Sequence, residues 1–204
     1  MRINKKKFIY LISPNKISAF FYSDLIEILK LKKVSFFQLR LKNLNFKKKL
    51  IIGKKIKKIC KNYNTKFLIN DDVLLAKKLN SDGCHLGQSD MDILKARKIL
   101  KKKIIGITCH NSIKLAKHAI KNKADYLAFG AFNISTTKKI KYKASLILLK
   151  RIKKITKTPV VAIGGINSKN YKKLLLNKAN FLAISGYIWK NKKLKPIEAI
   201  KRLK

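Results

Sequence analysis

The chain has 204 residues, with 51 Lys and Arg against 9 Asp and Glu, a formal net charge of +42 and 47% apolar residues. That length suits one domain, and so high an apolar content with only 3 Pro and 8 Gly excludes a disordered basic tail or a low-complexity chain. The apolar run from Phe8 to Ile12 is too short for a signal-peptide core, and no uncharged stretch approaches the roughly 18 residues of a membrane span.

Along the chain, short β-branched or aromatic runs predict strands at 8–13, 35–40, 66–70, 83–87, 103–109, 126–130, 159–165 and 181–186. Each precedes a segment with apolar residues at three-and-four spacing and Lys on the other face, such as Leu25, Ile28 and Leu29, or Leu146, Leu149 and Ile152. Eight β-α units without a break in composition predict the α/β class, as a compact (β/α)8 TIM barrel forming one domain over 1–204. An open doubly wound sheet is the alternative. It would carry a Gly-rich phosphate loop after the first strand, where this chain has Ser13-Pro14-Asn15-Lys16.

Cys60, Cys84 and Cys109, odd in number and without metal-ligand spacing, read as free thiols in a reducing compartment, so a cytoplasmic location is expected. A charge this basic first suggests nucleic acid. However, 46 of the 51 basic residues are Lys, spread evenly through the chain, whereas base and phosphate recognition favours the Arg fork. The excess Lys reads mainly as coding drift toward AT-rich codons, and neither a specific nucleic-acid partner nor a membrane is expected.

In a parallel barrel the chemistry sits where strands end and loops begin. The polar residues there are Gln38, Arg40 and Lys42 after the second strand, Asn70-Asp71-Asp72 after the third and Gln88-Ser89-Asp90 after the fourth. The fifth ends Thr108-Cys109-His110, the sixth leads into a loop with Ser135-Thr136-Thr137-Lys138, and the last two end at Gly164-Gly165 and Ser185-Gly186. Five of the nine carboxylates (Asp71, Asp72, Asp82, Asp90 and Asp92) fall within 22 residues. Carboxylates kept at two neighbouring strand ends suit Mg²⁺, which takes one or two of them together with substrate phosphate oxygens. Asp72 and Asp92 also suit helix N-caps, leaving Asp71 and Asp90 for the metal. The two glycine-containing strand ends occupy the corner where such barrels bind phosphate, although tight turns would also call for glycine.

The other candidates are weaker. His85 lies inside a strand and reads as a satisfied core residue, His118 as helix surface, and only His110 stands at a strand end as a potential acid or base. Cys109 has no identifiable base beside it. Trp189 reads as a packing cover after the last strand.

Six stretches in order carry a family resemblance: Gln38-Leu39-Arg40-Leu41-Lys42, Leu68-Ile69-Asn70-Asp71, Asp82 through Asp90, Ile105-Gly106-Ile107-Thr108, Ala124 through Lys138, and Pro159 through Asn167. They resemble thiamine-phosphate synthase and its relative, the thiazole tautomerase. The resemblance implies a phosphate-binding barrel that joins hydroxymethylpyrimidine diphosphate to thiazole phosphate, giving thiamine phosphate and pyrophosphate. It further implies Mg²⁺ on Asp71 and Asp90. Gln38, Arg40, Lys42, Asn70 and Lys138 would hold the pyrimidine diphosphate, with Thr108 near the reacting centre and Thr108, Lys138 and Arg40 as the catalytic set. Ser135, Thr137, Gly165, Ile184 and Ser185 would receive the thiazole phosphate.

Against the family pattern, Leu41 replaces an acidic residue, Asp72 an Arg and Thr108 a Ser, while Gly130-Ala131 and Ile134 lack two prolines and Lys178 replaces a Gly. The diphosphate set favours the synthase over the tautomerase, for which His110 would be the acid or base. A nucleic-acid-binding protein on an inactive barrel is the alternative from a different class. The partners implied are the two small substrates, with a homodimer left open.

Overall fold

The computed structural model describes residues 7–134 and 141–203. Eight strands are present there: β1 (Ile9–Ile12), β2 (Val34–Leu39), β3 (Lys66–Asn70), β4 (Gly83–Leu86), β5 (Ile104–His110), β6 (Tyr126–Gly130), β7 (Val160–Ile163) and β8 (Phe181–Ile184). Each pairs in parallel with the next, and β1 closes on β8 through Tyr10 beside Ala183 and Leu11 beside Ile184. This closed parallel barrel with intervening helices is the predicted TIM-barrel architecture. The open sheet is excluded by the β1–β8 pairing.

Strand periodicity explains the two-layered core. Tyr10, Ile12, Phe36, Leu68, Tyr126, Val161 and Phe181 form a cluster separate from the larger one that includes Ile9, Leu11, Phe37, Ile69 and Leu127. Alternate residues of one strand, such as Tyr10 and Leu11, therefore fill the barrel interior and the layer beneath the helices. Both layers being buried, the strands read as continuous apolar runs.

The helices turn their Lys faces outward. They are α1 (Phe21–Lys30), α2 (Phe46–Asn62), α3 (Val73–Leu79), α4 (Ile93–Leu100), α5 (Ile113–Lys121), α6 (Leu146–Ile155), α7 (Tyr171–Leu176), the short α8 (Gly186–Trp189) and α9 (Pro196–Lys201). Asp72 caps α3 by accepting from Leu75 N–H, and Asp92 caps α4 by accepting from Leu94 and Lys95 N–H, as their positions predict. Among the described residues no helix is long and apolar enough to cross a membrane.

A repeated device pins the barrel at the starts of its strands. Asp82, Asp125 and Asn180 directly precede β4, β6 and β8. Their side chains accept the backbone N–H of Phe67, Ile105 and Val160 at 2.9, 2.8 and 2.8 Å, in the strand before. Asp125 also takes a 2.7 Å hydrogen bond from the Arg97 guanidinium.

Candidate active site

All the strands deliver their ends to one cavity of about 1040 Å³. Its floor is built inside the barrel. Gln38 Nε2 donates to the Tyr10 hydroxyl at 2.9 Å, and the Tyr10 and Tyr126 hydroxyls lie 2.7 Å apart. His85 Nδ1 is 2.9 Å from the Tyr126 hydroxyl and its Nε2 is 2.8 Å from Thr108 Oγ1. Gly106 makes room for this arrangement, because a Cβ there would come within 1.8 Å of the Tyr126 ring. Burial lowers the His85 pKa to about 4, against a smaller opposing pull from Asp90, so the ring is neutral at neutral pH. Burial likewise raises the Tyr10 and Tyr126 hydroxyls, which stay protonated.

One wall is cationic and acidic together. Arg40 and Lys42 lie just past β2, which ends one residue earlier than predicted, and both line the cavity. Arg40 is held by its backbone N–H on Ser13 Oγ at 2.9 Å and by its guanidinium on Asn15 Oδ1 at 3.2 Å. Lys42 Nζ stands 3.7 Å from an Asp71 carboxylate oxygen. Asn70 ends β3, and Asp71 turns the chain there with φ 65 while its N–H binds His85 O at 2.8 Å. Asp90 accepts the Gly87 N–H at 2.6 Å.

Asp71 and Asp90 share one corner. Burial, then a hydrogen bond and the negative charge of Asp71, raise the Asp90 pKa, while the Gly87 N–H and Lys42 work the other way. Two carboxylates side by side, one of them with its charge disfavoured, are a fitting donor pair for a hard dication. Among the described residues no group of three or more His, Cys, Asp or Glu side chains comes together. The remaining positions around an octahedral ion would therefore fall to water and phosphate oxygens.

The opposite wall is made of backbone. Gly164 and Gly165 have φ 106 and 57, and these left-handed turns end β7 at Ile163, two residues short of the predicted stretch. A Cβ on Gly165 would sit 2.1 Å from Ile134 O, so the loop after β6 packs directly on it. Ile184 ends β8, earlier than the predicted 186, and Ser185 Oγ donates to Ser13 O at 3.2 Å. Gly165, Ile184 and Ser185 all line the cavity. Trp189 covers this side as expected, donating from Nε1 to Ile12 O at 2.7 Å.

The loop after β6 returns on itself, with Ala131 N–H on Tyr142 O at 2.8 Å and Ala144 N–H on Ala131 O at 2.9 Å. Ser135, Thr137 and Lys138 lie outside the described residues. His110 reaches the cavity with φ 51 and stacks on Tyr142 at 4.1 Å between ring centroids. Burial pushes the Cys109 thiol up to about 12, which removes it as a nucleophile at neutral pH. His85 is the satisfied residue expected from its place inside a strand, and it also lines the cavity. Tyr10 and Tyr126 were not anticipated, although Gly106 inside a strand was a signal that a large neighbour approaches.

The sequence model of the family described as thiamine monophosphate synthase matches residues 9–188, nearly the whole barrel. The chain belongs to the thiamine monophosphate synthase family. It is 71% identical over 207 aligned residues to the thiamine-phosphate synthase of Pelagibacter ubique (strain HTCC1062), covering 100% of both chains. The corresponding enzyme of Erythrobacter litoralis (strain HTCC2594) is 37% identical, over 94% of this chain and 92% of its own. Among solved structures, thiamine phosphate pyrophosphorylase from Pyrococcus furiosus superposes with a TM-score of 0.85 at 29% identity, covering 98% of this chain and 94% of that one. One departure from the family pattern has a visible backbone consequence: Lys178 adopts φ 74, a conformation its family counterpart Gly takes freely.

Proposed function

We propose that this barrel works as a thiamine-phosphate synthase, a transferase that joins hydroxymethylpyrimidine diphosphate to thiazole phosphate and releases pyrophosphate. The observation that carries the assignment of roles is the two-sided cavity. Arg40, Lys42, Asn70, Asp71 and Asp90 face it from one wall, Gly165, Ile184 and Ser185 from the other, with Gln38 and Thr108 between them. Two anionic substrates can thus lie with their reacting ends together and their phosphates apart.

The chemistry asks little covalent work of the protein. The methylene–oxygen bond breaks with its electron pair leaving on pyrophosphate, because the electron-rich aminopyrimidine stabilises the resulting cation. The thiazole nitrogen then supplies the pair for the new C–N bond. Arg40, Lys42 and, from the loop after β6, Lys138 hold the leaving pyrophosphate, while Asn70 and Gln38 orient the pyrimidine half. Asp71 and Asp90 would hold Mg²⁺, which would supply positive charge to stabilise the leaving pyrophosphate. Thr108 stands beside the pyrimidine ring. Ser135, Thr137, Gly165 and the backbone at Ile184 and Ser185 receive the thiazole phosphate.

In this reading 1–204 is one catalytic domain acting on small molecules in the cytoplasm, with no nucleic-acid partner and with a homodimer compatible. The diphosphate wall would be superfluous in a thiazole tautomerase. Binding of each half tests the assignment of the walls. Arg40→Ala should weaken inorganic pyrophosphate with Mg²⁺ roughly tenfold or more by titration calorimetry, leaving thiazole phosphate nearly unchanged. Equal losses for both ligands would mean that Arg40 supports the barrel instead.

A further inference from the structure

Five side chains cross the cavity floor as one hydrogen-bonded chain, and the orientation of the Gln38 amide at its end sets which way its protons point. The Gln38 amide nitrogen only donates, and it lies 2.9 Å from the Tyr10 hydroxyl. Tyr10 is buried, and the partner left for its own proton among the described residues is the Tyr126 oxygen at 2.7 Å. Tyr126, accepting there, donates to His85 Nδ1 at 2.9 Å. A neutral imidazole whose Nδ1 accepts carries its proton on Nε2, and that proton goes to Thr108 Oγ1 at 2.8 Å. The Thr108 hydroxyl proton is then the end of the chain, with no further acceptor for it among the described residues, on a residue that lines the cavity.

We propose that His85 is a positioning residue: as the Nε2–H tautomer it leaves the Thr108 hydroxyl proton available to donate into the cavity, so that the site favours a heteroaromatic ring presenting a bare ring nitrogen there. This rests on the synthase reading, in which the aminopyrimidine offers such a nitrogen. The opposite polarity would make Thr108 an acceptor and favour the exocyclic amino group instead. Tyr10, Tyr126 and Gln38 act one step further back, because each passes the polarity along. Stacking of His85 on Tyr126 supports the geometry, their rings lying 5.6 Å apart and only 12° from parallel.

Nitrogen NMR of the wild-type protein labelled in histidine reads the tautomer directly, with the His85→Gln variant identifying the signal among the three histidines. A bare Nδ1 and a protonated Nε2 are expected, whereas a protonated Nδ1 overturns the inference whatever the variants do. Kinetics supply the second arm. His85→Leu should raise KM for the pyrimidine diphosphate roughly ten- to a hundredfold while leaving Kd for inorganic pyrophosphate and for thiazole phosphate within about twofold. His85→Gln, whose amide still offers a donor toward Thr108, should recover most of that loss. Parallel weakening of pyrophosphate, or no recovery with glutamine, would reduce His85 to a packing role and contradict the proposal. A wild-type protein that forms no thiamine phosphate would instead sink the synthase reading, while the tautomer measurement would still decide the polarity.

Discussion

Asp71 and Asp90 are two of only nine acidic residues in a chain of net charge +42, and they meet at the ends of adjacent strands. Most of the other acids have structural duties visible in the contacts. Asp72 and Asp92 cap helices, Asp82 and Asp125 clamp strands, and Glu27 pairs with Lys30. Burial and the neighbouring Asp71 raise the proton affinity of Asp90, an unfavourable setting for its charge that suits the metal role proposed for it. Tyr187 offers a contrasting test nearby. Its hydroxyl is buried without a hydrogen-bond partner among the described residues, so its burial costs free energy. Tyr187→Phe should leave stability unchanged or raise it by up to about 1 kcal/mol in urea unfolding. A loss of that size would show that the hydroxyl has a partner in solution.

The strand-start clamps are the elements' own fastening. Each replaces a side-chain contact to solvent with a hydrogen bond to the neighbouring strand, tying β3 to β4, β5 to β6 and β7 to β8. Asp125→Ala would leave Ile105 N–H without its side-chain acceptor and Arg97 without its carboxylate partner. Its expected cost is about 1–3 kcal/mol, measurable as a lowered unfolding midpoint, with pyrophosphate binding at the far end of the barrel unaffected. A matching loss of binding would mean that the clamp also sets the site's geometry. The eight units were legible because parallel strands buried on both sides leave apolar runs and the helices leave Lys-faced periodicity. Their ends were less so: Gly164 and Gly165 turn the chain while the apolar composition continues through Ile166. In the site, Arg40, Asp71 and Asp90 were legible as polar residues at strand ends. The floor was not, because Tyr10 and Tyr126 sit in apolar runs and meet across 116 residues of sequence. Only the closing of the barrel brings their hydroxyls together.

The charge of the protein as a whole acts differently from the few cations in the cavity. Forty-six lysines spread over the sequence make a field that salt screens within about 8 Å, whereas Arg40 and Lys42 face the cavity directly. The excess charge can hasten the arrival of anionic substrates without defining which ones bind. On the proposed function they are defined by the cavity at the strand ends, acidic and cationic on one wall, glycine-rich on the other, with a hydrogen-bonded floor between. Coupling of the two anionic substrates in this cavity, with the help of a metal on the Asp71–Asp90 pair, is the proposed function. It is tested most directly by incubating the purified protein with hydroxymethylpyrimidine diphosphate and thiazole phosphate and following thiamine phosphate and pyrophosphate, with Mg²⁺ and with EDTA, for wild type and Asp71→Ala. Equal amounts of both products from wild type, abolished by EDTA and lost by a hundredfold or more in the folded variant, are expected, on the order of 3 kcal/mol of transition-state stabilisation. Product formation indifferent to EDTA and to Asp71→Ala would contradict the role given to the carboxylate pair, and no product at all from folded wild-type protein would contradict the reaction itself.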